Sequence, residues 1–288
     1  MVQMFFPKTA GEVLDLLEQS TGRAQLIAGG SALVPWLHQG SVATTTLISL
    51  RDVTELDRIW IDGDRLSIGA MVTMRHLETA AAVRRYAPLL ADAAHTVGHL
   101  RIRNQATLGG NLMEANYGTD MPAALAVLDA VAVLRSPRGV RRLAIDALLL
   151  EAGQTALQYG EIVTHVELPL RPQSHQIYLK FRGRAEKERP CVGVAALVEF
   201  EQAGQVASCQ IAVGAATTVP VRLPHVEARV RGRSLDTATI REVAMAYAEG
   251  MRPISDLRGS AWFRRTIIAV LIKRALSHIA HTSPSSGE

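Results

Sequence analysis

The stretch from Arg101 to Ala130, RIRNQATLGGNLMEANYGTDMPAALAVLDA, constrains this chain more than any other. It holds a Gly-Gly pair followed by Asn111, an isolated Asp120 with Pro122 two residues on, and then a run of small residues that reads as a helix. A second pair, Gly29-Gly30, follows a short apolar run in LIAGGSALVPWL. Glycine brings backbone N–H groups to a ligand at φ values other residues avoid. Two such turns suggest two backbone surfaces closing on one elongated anion, such as a dinucleotide. Either pair read alone is also an ordinary turn. Neither belongs to a GxGxxG fingerprint or a lysine-containing P-loop. The residues by themselves therefore reach a phosphate cradle and no further.

Composition narrows the classes. At 288 residues the chain has room for two domains, and 48% hydrophobic with 20% charged residues reads as an ordinary soluble protein. No apolar run is long enough for a membrane span. MVQMFFPKTAGEV lacks a basic segment followed by an apolar core, so a cytoplasmic location without a secretory signal is expected. A net charge of +4 from scattered arginines argues against nucleic-acid binding. Basic clusters at Arg101–Arg103, Arg138–Arg142 and Lys180–Arg189 read either as solvated surface or as a docking face for an acidic partner or cofactor. The two cysteines, Cys191 and Cys209, have no cluster spacing. A [2Fe–2S] centre needs four ligands, so none is expected on this chain. Both cysteines are expected to be buried and reduced.

Periodicity and turn residues predict an α+β fold. TAGEVLDLLEQ reads as an amphipathic helix, with Thr9 as N-cap and Glu12 completing a capping box. AQLIAGG, TTLISL and RLSIGAMVTM read as strands, with a DGD turn between strands around Trp60 and Leu66. HLETAAAVRRYAPLLADAAHTV reads as helical, VAVLRSPRGVRRLAI as a hairpin and EIVTHVELPL as a strand. Asp120 is a candidate N-cap, and Pro122 suits the first turn of the helix after it. The polar segment around Pro172 is the expected domain boundary. Beyond it come three β-type runs, IYLKFRG, CVGVAALVEFE and SCQIAVGAA, and then two helices, LDTATIREVAMAYAEGM and AWFRRTIIAVLIKRALSHI. The last residues, HTSPSSGE, read as a disordered tail.

Four blocks in order carry a resemblance: AGGSALVPWL, IRNQATLGGNLMEANYGTDMPAALAVLDA, YLKFRGRAEKERPCVGVAA, and GAATTVPVR with PISDLRGSAWFRRTIIAVLIKRAL. Together they resemble the FAD-binding medium subunits of molybdenum hydroxylases, the family of the carbon monoxide dehydrogenase, quinoline oxidoreductase and xanthine dehydrogenase flavin domains. The resemblance spans nearly the whole chain. It implies a PCMH-type FAD-binding domain over 1–173, with subdomains of about 1–56 and 57–173. A smaller C-terminal domain over 174–280, a three-stranded antiparallel sheet with helices, and a tail over 281–288 would follow.

The resemblance also implies site residues. The pyrophosphate would meet Ala28, Gly29, Gly30, Ser31, Ala32 and Leu33, where no basic residue lies and oriented amides would do the binding. Thr107, Gly109, Gly110 and Asn111 would run along the ribityl chain and the rest of the diphosphate. Asp120 would accept from a sugar-type hydroxyl, the alternative being a plain N-cap. Val97 and Gly98 would lie near the flavin edge, Val163 would make a main-chain contact on the adenine side, and Lys180 would sit near the isoalloxazine. Read alone, Lys180 is a strand-edge surface lysine. Where many relatives read Asp-Pro, this chain has Asn116-Tyr117, whose ring either stacks near the flavin or covers a loop. No motif for covalent attachment is present, so the FAD is expected to be noncovalent.

The implied function is electron transfer, with no catalytic side chain on this chain. A large molybdenum–pterin subunit would oxidise the substrate, and a small subunit would carry the [2Fe–2S] clusters. The assembly expected is an (αβγ)2 heterohexamer delivering electrons to an external acceptor. Two other readings are open at this point: a standalone flavin oxidoreductase, and a scaffold subunit that has lost FAD.

Overall fold

The short apolar run before the first glycine pair pairs in parallel, and a parallel pair needs a crossover connection. The computed structural model describes residues 2–20, 22, 24–183, 185, 187–202 and 204–282. Strands β1 (Gln3–Phe5), β2 (Ala24–Ile27) and β3 (Thr46–Ser49) form a parallel sheet in the order β1-β3-β2. The crossover from β1 to β2 is the helix Ala10–Gln19. Thr9 caps it as expected, its Oγ1 accepting from the Glu12 N–H at 3.2 Å. Glu12 reaches back to the N–H of Lys8 at 2.8 Å, one residue before the usual capping-box donor. Val13, Leu14 and Leu17 lie on one face of this helix and bury against Ile48, Leu50, Leu56 and Ile162.

Next along the chain come β4 (Ile59–Asp62), β5 (Arg65–Gly69), β6 (Val131–Ser136), β7 (Gly139–Ala144), the small hairpin β8 (Leu149–Glu151) with β9 (Gln154–Thr155), and β10 (Ile162–Pro169). Five of them form an antiparallel sheet ordered β4-β5-β10-β6-β7. Two sequence expectations change here. The strand expected through RLSIGAMVTM stops at Gly69, because Thr73 caps a helix, its Oγ1 taking the His76 N–H at 3.1 Å. The long helical run is three helices, Met74–Thr79, Ala81–Tyr86 and Pro88–His95. Pro88 has no N–H and pushes Ala87 out of the helical region, which sets the second break.

The C-terminal sheet is antiparallel, ordered β11 (His175–Phe181), β12 (Val192–Phe200), β13 (Val206–Gly214) and β14 (Val221–Arg222). The three expected strands are joined by a two-residue fourth. The near-continuous apolar run in β12 has a physical reason. Val192, Val194, Ala196 and Val198 point to one side and pack under the helices Thr237–Gly250 and Ala261–Thr282. Ala195 and Leu197 point to the other and join the core of the N-terminal region. Arg171, Gln210 and Arg222 converge on the Asp129 carboxylate at 2.5, 2.8 and 2.8 Å, and so tie the sheet to the turn before β6. The last helix runs to Thr282, so His281 and Thr282, read above as the start of the tail, are helical; residues 283–288 lie outside those described. Both cysteines are buried, and burial pushes the Cys209 thiol up to about 12.

Candidate cofactor cleft

A cleft of about 480 Å³ opens between the first parallel sheet and the five-stranded sheet. Its walls include all of Ala28, Gly29, Gly30, Ser31, Ala32 and Leu33, together with Thr107, Gly109, Gly110, Asn111 and Val163. Trp36, Gln25 and the segment Leu157–Ile162, none of them singled out in the sequence, complete it. Val97, Gly98, Asp120 and Lys180 do not line it.

The first glycine loop leaves donors free. Among the described residues, the N–H groups of Gly29, Gly30, Ser31 and Ala32 donate to no protein acceptor. The helix that follows, Leu33–His38, needs no side-chain cap. Its Val34 N–H returns to the Gly30 carbonyl at 3.0 Å, and Pro35 has no N–H to satisfy. Unpaired amides are costly when buried and useful beside an anion. Gly30 takes a positive φ of +70°, which makes the turn. Gly29 is required for a different reason: a Cβ there would lie 1.7 Å from the Gln105 carbonyl oxygen. The two loops therefore meet backbone to backbone at the floor of the cleft.

The second glycine loop is built otherwise. It is the first turn of the helix Leu108–Glu114, and its amides are taken. Leu108 donates to the Val72 carbonyl at 3.0 Å, Gly109 to that of Ala70 at 2.8 Å, and Gly110 to the Thr107 Oγ1 at 3.1 Å. A Cβ on Gly109 would lie 2.7 Å from that of Ala70, so this glycine serves close packing. The expectation that backbone N–H groups here face a phosphate is thus corrected: the loop presents its Asn111 side chain instead. The Asn111 Oδ1 is a buried acceptor without a partner, on a residue lining the cleft. Four free donors on one wall and an orphaned carboxamide on the other fit a diphosphate continued by a hydroxylated chain.

Asp120 is buried beside, not in, this cleft. Its side chain makes no N-cap bond. Its oxygens accept from the Tyr178 hydroxyl at 2.6 Å and from the Lys180 Nζ at 2.9 Å. Lys180 stands on the edge strand β11, yet its side chain is only 2% exposed, so the surface-lysine alternative does not hold. Burial pulls its ammonium below the usual lysine value while Asp120 pulls it back. Burial and the Asp120 charge drive the Tyr178 phenol well above its usual value. Gly193 makes room for this group, since a Cβ there would come within 2.5 Å of the Tyr178 hydroxyl. Lys180 also donates to the Thr96 carbonyl at 3.0 Å, which brings Val97 and Gly98 next to the pair. Beneath them, Glu78 holds Arg103 at 3.1 Å, and Arg103 in turn donates to the Gly98 carbonyl at 3.3 Å. Tyr178 and Gly193 carried no sequence signal of their own, because their role depends on a carboxylate distant in sequence.

Tyr117 is committed to the loop reading. Its hydroxyl donates to Asp256 at 2.8 Å, and the Arg258 guanidinium lies 5.2 Å over its ring. The basic clusters are largely paired. Arg141 grips Glu161, Arg142 approaches Glu167, and Arg189 reaches Glu114.

Residues 1–171 match the family described as the FAD-binding domain in molybdopterin dehydrogenase, and residues 177–279 match the CO dehydrogenase flavoprotein C-terminal domain. The nicotine 6-hydroxylase medium subunit of Paenarthrobacter nicotinovorans is 30% identical over 270 residues, covering 94% of each chain. A chain of quinoline 2-oxidoreductase from Pseudomonas putida 86 superposes with a TM-score of 0.93 at 29% identity, covering 99% of both chains. One of carbon monoxide dehydrogenase from Hydrogenophaga pseudoflava gives 0.91 at 28%, covering 96% of both. No helix among the described residues is long and apolar enough to cross a membrane. With the two-loop cleft of its N-terminal region and the four-stranded C-terminal domain behind it, this chain belongs to the FAD-binding medium subunits of the molybdenum hydroxylase family.

Proposed function

We propose that this chain is the electron-transfer subunit of a molybdenum hydroxylase. It takes electrons from [2Fe–2S] clusters on a small partner subunit and passes them to an external acceptor. A large molybdenum–pterin subunit oxidises the substrate, and two such trimers assemble in the cytoplasm. The observation that carries the reading is the row of free N–H groups from Gly29 to Ala32 facing an orphaned Asn111 acceptor across one cleft. FAD, bound noncovalently, supplies the redox chemistry; the chain supplies position and electrostatics. The Ala28–Leu33 amides and the Ser31 hydroxyl hold the diphosphate, and Thr107–Asn111 adds the Asn111 carboxamide. The Val163 backbone borders the adenine end. The Asp120–Lys180–Tyr178 group, with Val97 and Gly98, backs the flavin end. The Lys180 ammonium there is paired with Asp120, and through the Thr96 carbonyl it holds the turn at Val97 and Gly98 in place.

The visible spectrum of the purified chain tests this reading. Flavin absorbance released by denaturation, with molybdenum- and iron-containing chains co-purifying, is the expected result. Colourless protein that refuses added FAD overturns it. A flavoprotein that never associates with metal-containing chains overturns the electron-transfer assignment alone.

A further inference from the structure

Tyr159 bridges the mouth of the cleft. It sits at the tip of the loop between β9 and β10, and the residue is 56% exposed. Its hydroxyl donates to the Leu17 carbonyl at 2.6 Å and accepts from the Gly22 N–H at 2.7 Å. Leu17 lies in the last turn of the first helix, where its carbonyl also accepts from the Ser20 N–H at 3.3 Å. Both bonds cross to the opposite wall, over separations of 142 and 137 residues. Leu17, Gly22 and Tyr159 all border the cleft.

The loop that carries Tyr159 is stiff. Arg141 grips Glu161 through Nε at 2.9 Å and Nη2 at 2.7 Å, and also donates to the Ala156 carbonyl at 2.8 Å. Glu161 in turn accepts from the Gln158 N–H at 2.8 Å. Burial opposes its charge, but the Arg141 fork and the Gln158 amide outweigh it and hold the carboxyl below the usual range. A braced arm that ends in two hydrogen bonds on the facing wall has the build of a latch.

We propose that Tyr159 is a positioning residue that straps the two walls of the FAD cleft together and sets the rate at which the dinucleotide enters and leaves. This rests on the FAD reading above. Tyr159→Phe keeps the ring and removes both bonds. If passage requires the strap to open, association and dissociation both accelerate, by about tenfold each, the size expected from losing one or two net hydrogen bonds. The affinity then moves by less than about threefold, because the strap is remade in the bound state.

Stopped-flow quenching of FAD fluorescence by the deflavinated full chain reads association, and exchange of bound FAD against excess labelled FAD reads dissociation. Hydrogen exchange at the Gly22 amide is run alongside without FAD, and is expected to be slow in the wild type and fast in the variant. FAD uptake with both rates unmoved by the substitution overturns the strap alone. A faster dissociation with unchanged association does so too, since Tyr159 is then a ligand contact and not a gate. A Gly22 amide that exchanges freely in the wild type shows that the strap is not closed. Wild-type protein that takes up no FAD overturns the reading beneath it.

Discussion

The two glycine pairs read alike in the sequence and do opposite work in the fold. Gly29-Gly30 leaves a run of amides unpaired, whereas Gly109-Gly110 belongs to a turn whose amides are all occupied. The cause lies in the neighbours. Thr107 supplies a capping hydroxyl to its helix, while Ala32 cannot, and Pro35 with the Val34–Gly30 bond makes a cap unnecessary. A glycine pair is thus a statement about backbone space. Whether it offers donors depends on the residues that would consume them.

The largest effect expected from breaking this contrast is at Gly29. An alanine there drives its Cβ into the Gln105 carbonyl, a backbone atom that cannot swing aside. Gly29→Ala is expected to cost more than about 4 kcal/mol in urea denaturation, placing it among exceptional substitutions. Gly110→Ala meets the Thr107 Oγ1 at 2.9 Å, a side-chain atom, and the Ala28 Cβ at an ordinary contact distance of 3.7 Å. Losing that cap costs about 1 kcal/mol, and replacing a helical glycine by alanine returns a similar amount, so the net change stays within about 1 kcal/mol. Equal losses at the two positions would erase the distinction.

The next two predictions probe what lies behind the second loop. Lys180→Met strands Asp120 in a site where both partners are nearly fully buried, and should cost about 3–4 kcal/mol. A cost below about 1 kcal/mol would mean that the pair adds little to the folded state. Glu78 supports the Gly98 turn through Arg103. Burial works against its charge, yet His95, Arg75 and Arg103 outweigh it and hold the carboxyl at about 2, below the ordinary value of 4.5. Because the folded value is depressed, the stabilisation is complete above about pH 4.5 and is lost as pH falls toward 2, by about 3 kcal/mol in all. Glu78→Gln should flatten the acid limb of a stability–pH curve in that window. An unchanged slope would remove Glu78 from the support.

Much of this was legible in advance. The Thr9 cap, the DGD turn and the β-type run of β12 follow from local residue choice. Ala28–Leu33, Thr107, Gly109, Gly110, Asn111 and Val163 do share one cleft. The pairings between elements distant in sequence were not legible. Asp120 read as a cap or a ligand contact because Tyr178 and Lys180 approach it only once the C-terminal sheet packs, through β12 and β13, against the helix Asp120 precedes. Arg141 read as part of a basic patch because Glu161 lies 20 residues on. Tyr159 had no signal at all, since nothing local to it reveals a hydroxyl bound to Leu17 and Gly22.

The smallest effects separate two roles within the second loop most sharply, because they differ in sign. Thr107 and Asn111 are four residues apart on the same turn, and both line the cleft. Thr107→Ala removes a cap that the ligand-free protein uses, so stability should fall by about 1 kcal/mol while FAD affinity changes little. Asn111→Ala removes a buried acceptor that the ligand-free protein leaves unsatisfied, so stability should hold or rise by up to about 1 kcal/mol. FAD affinity should drop about tenfold in the same variant, the worth of one well-placed hydrogen bond to a ligand. Denaturation and flavin titration on the same preparations read both quantities. If Asn111→Ala lowers stability and leaves affinity untouched, the second loop is scaffold throughout, and the first loop alone would hold the anion.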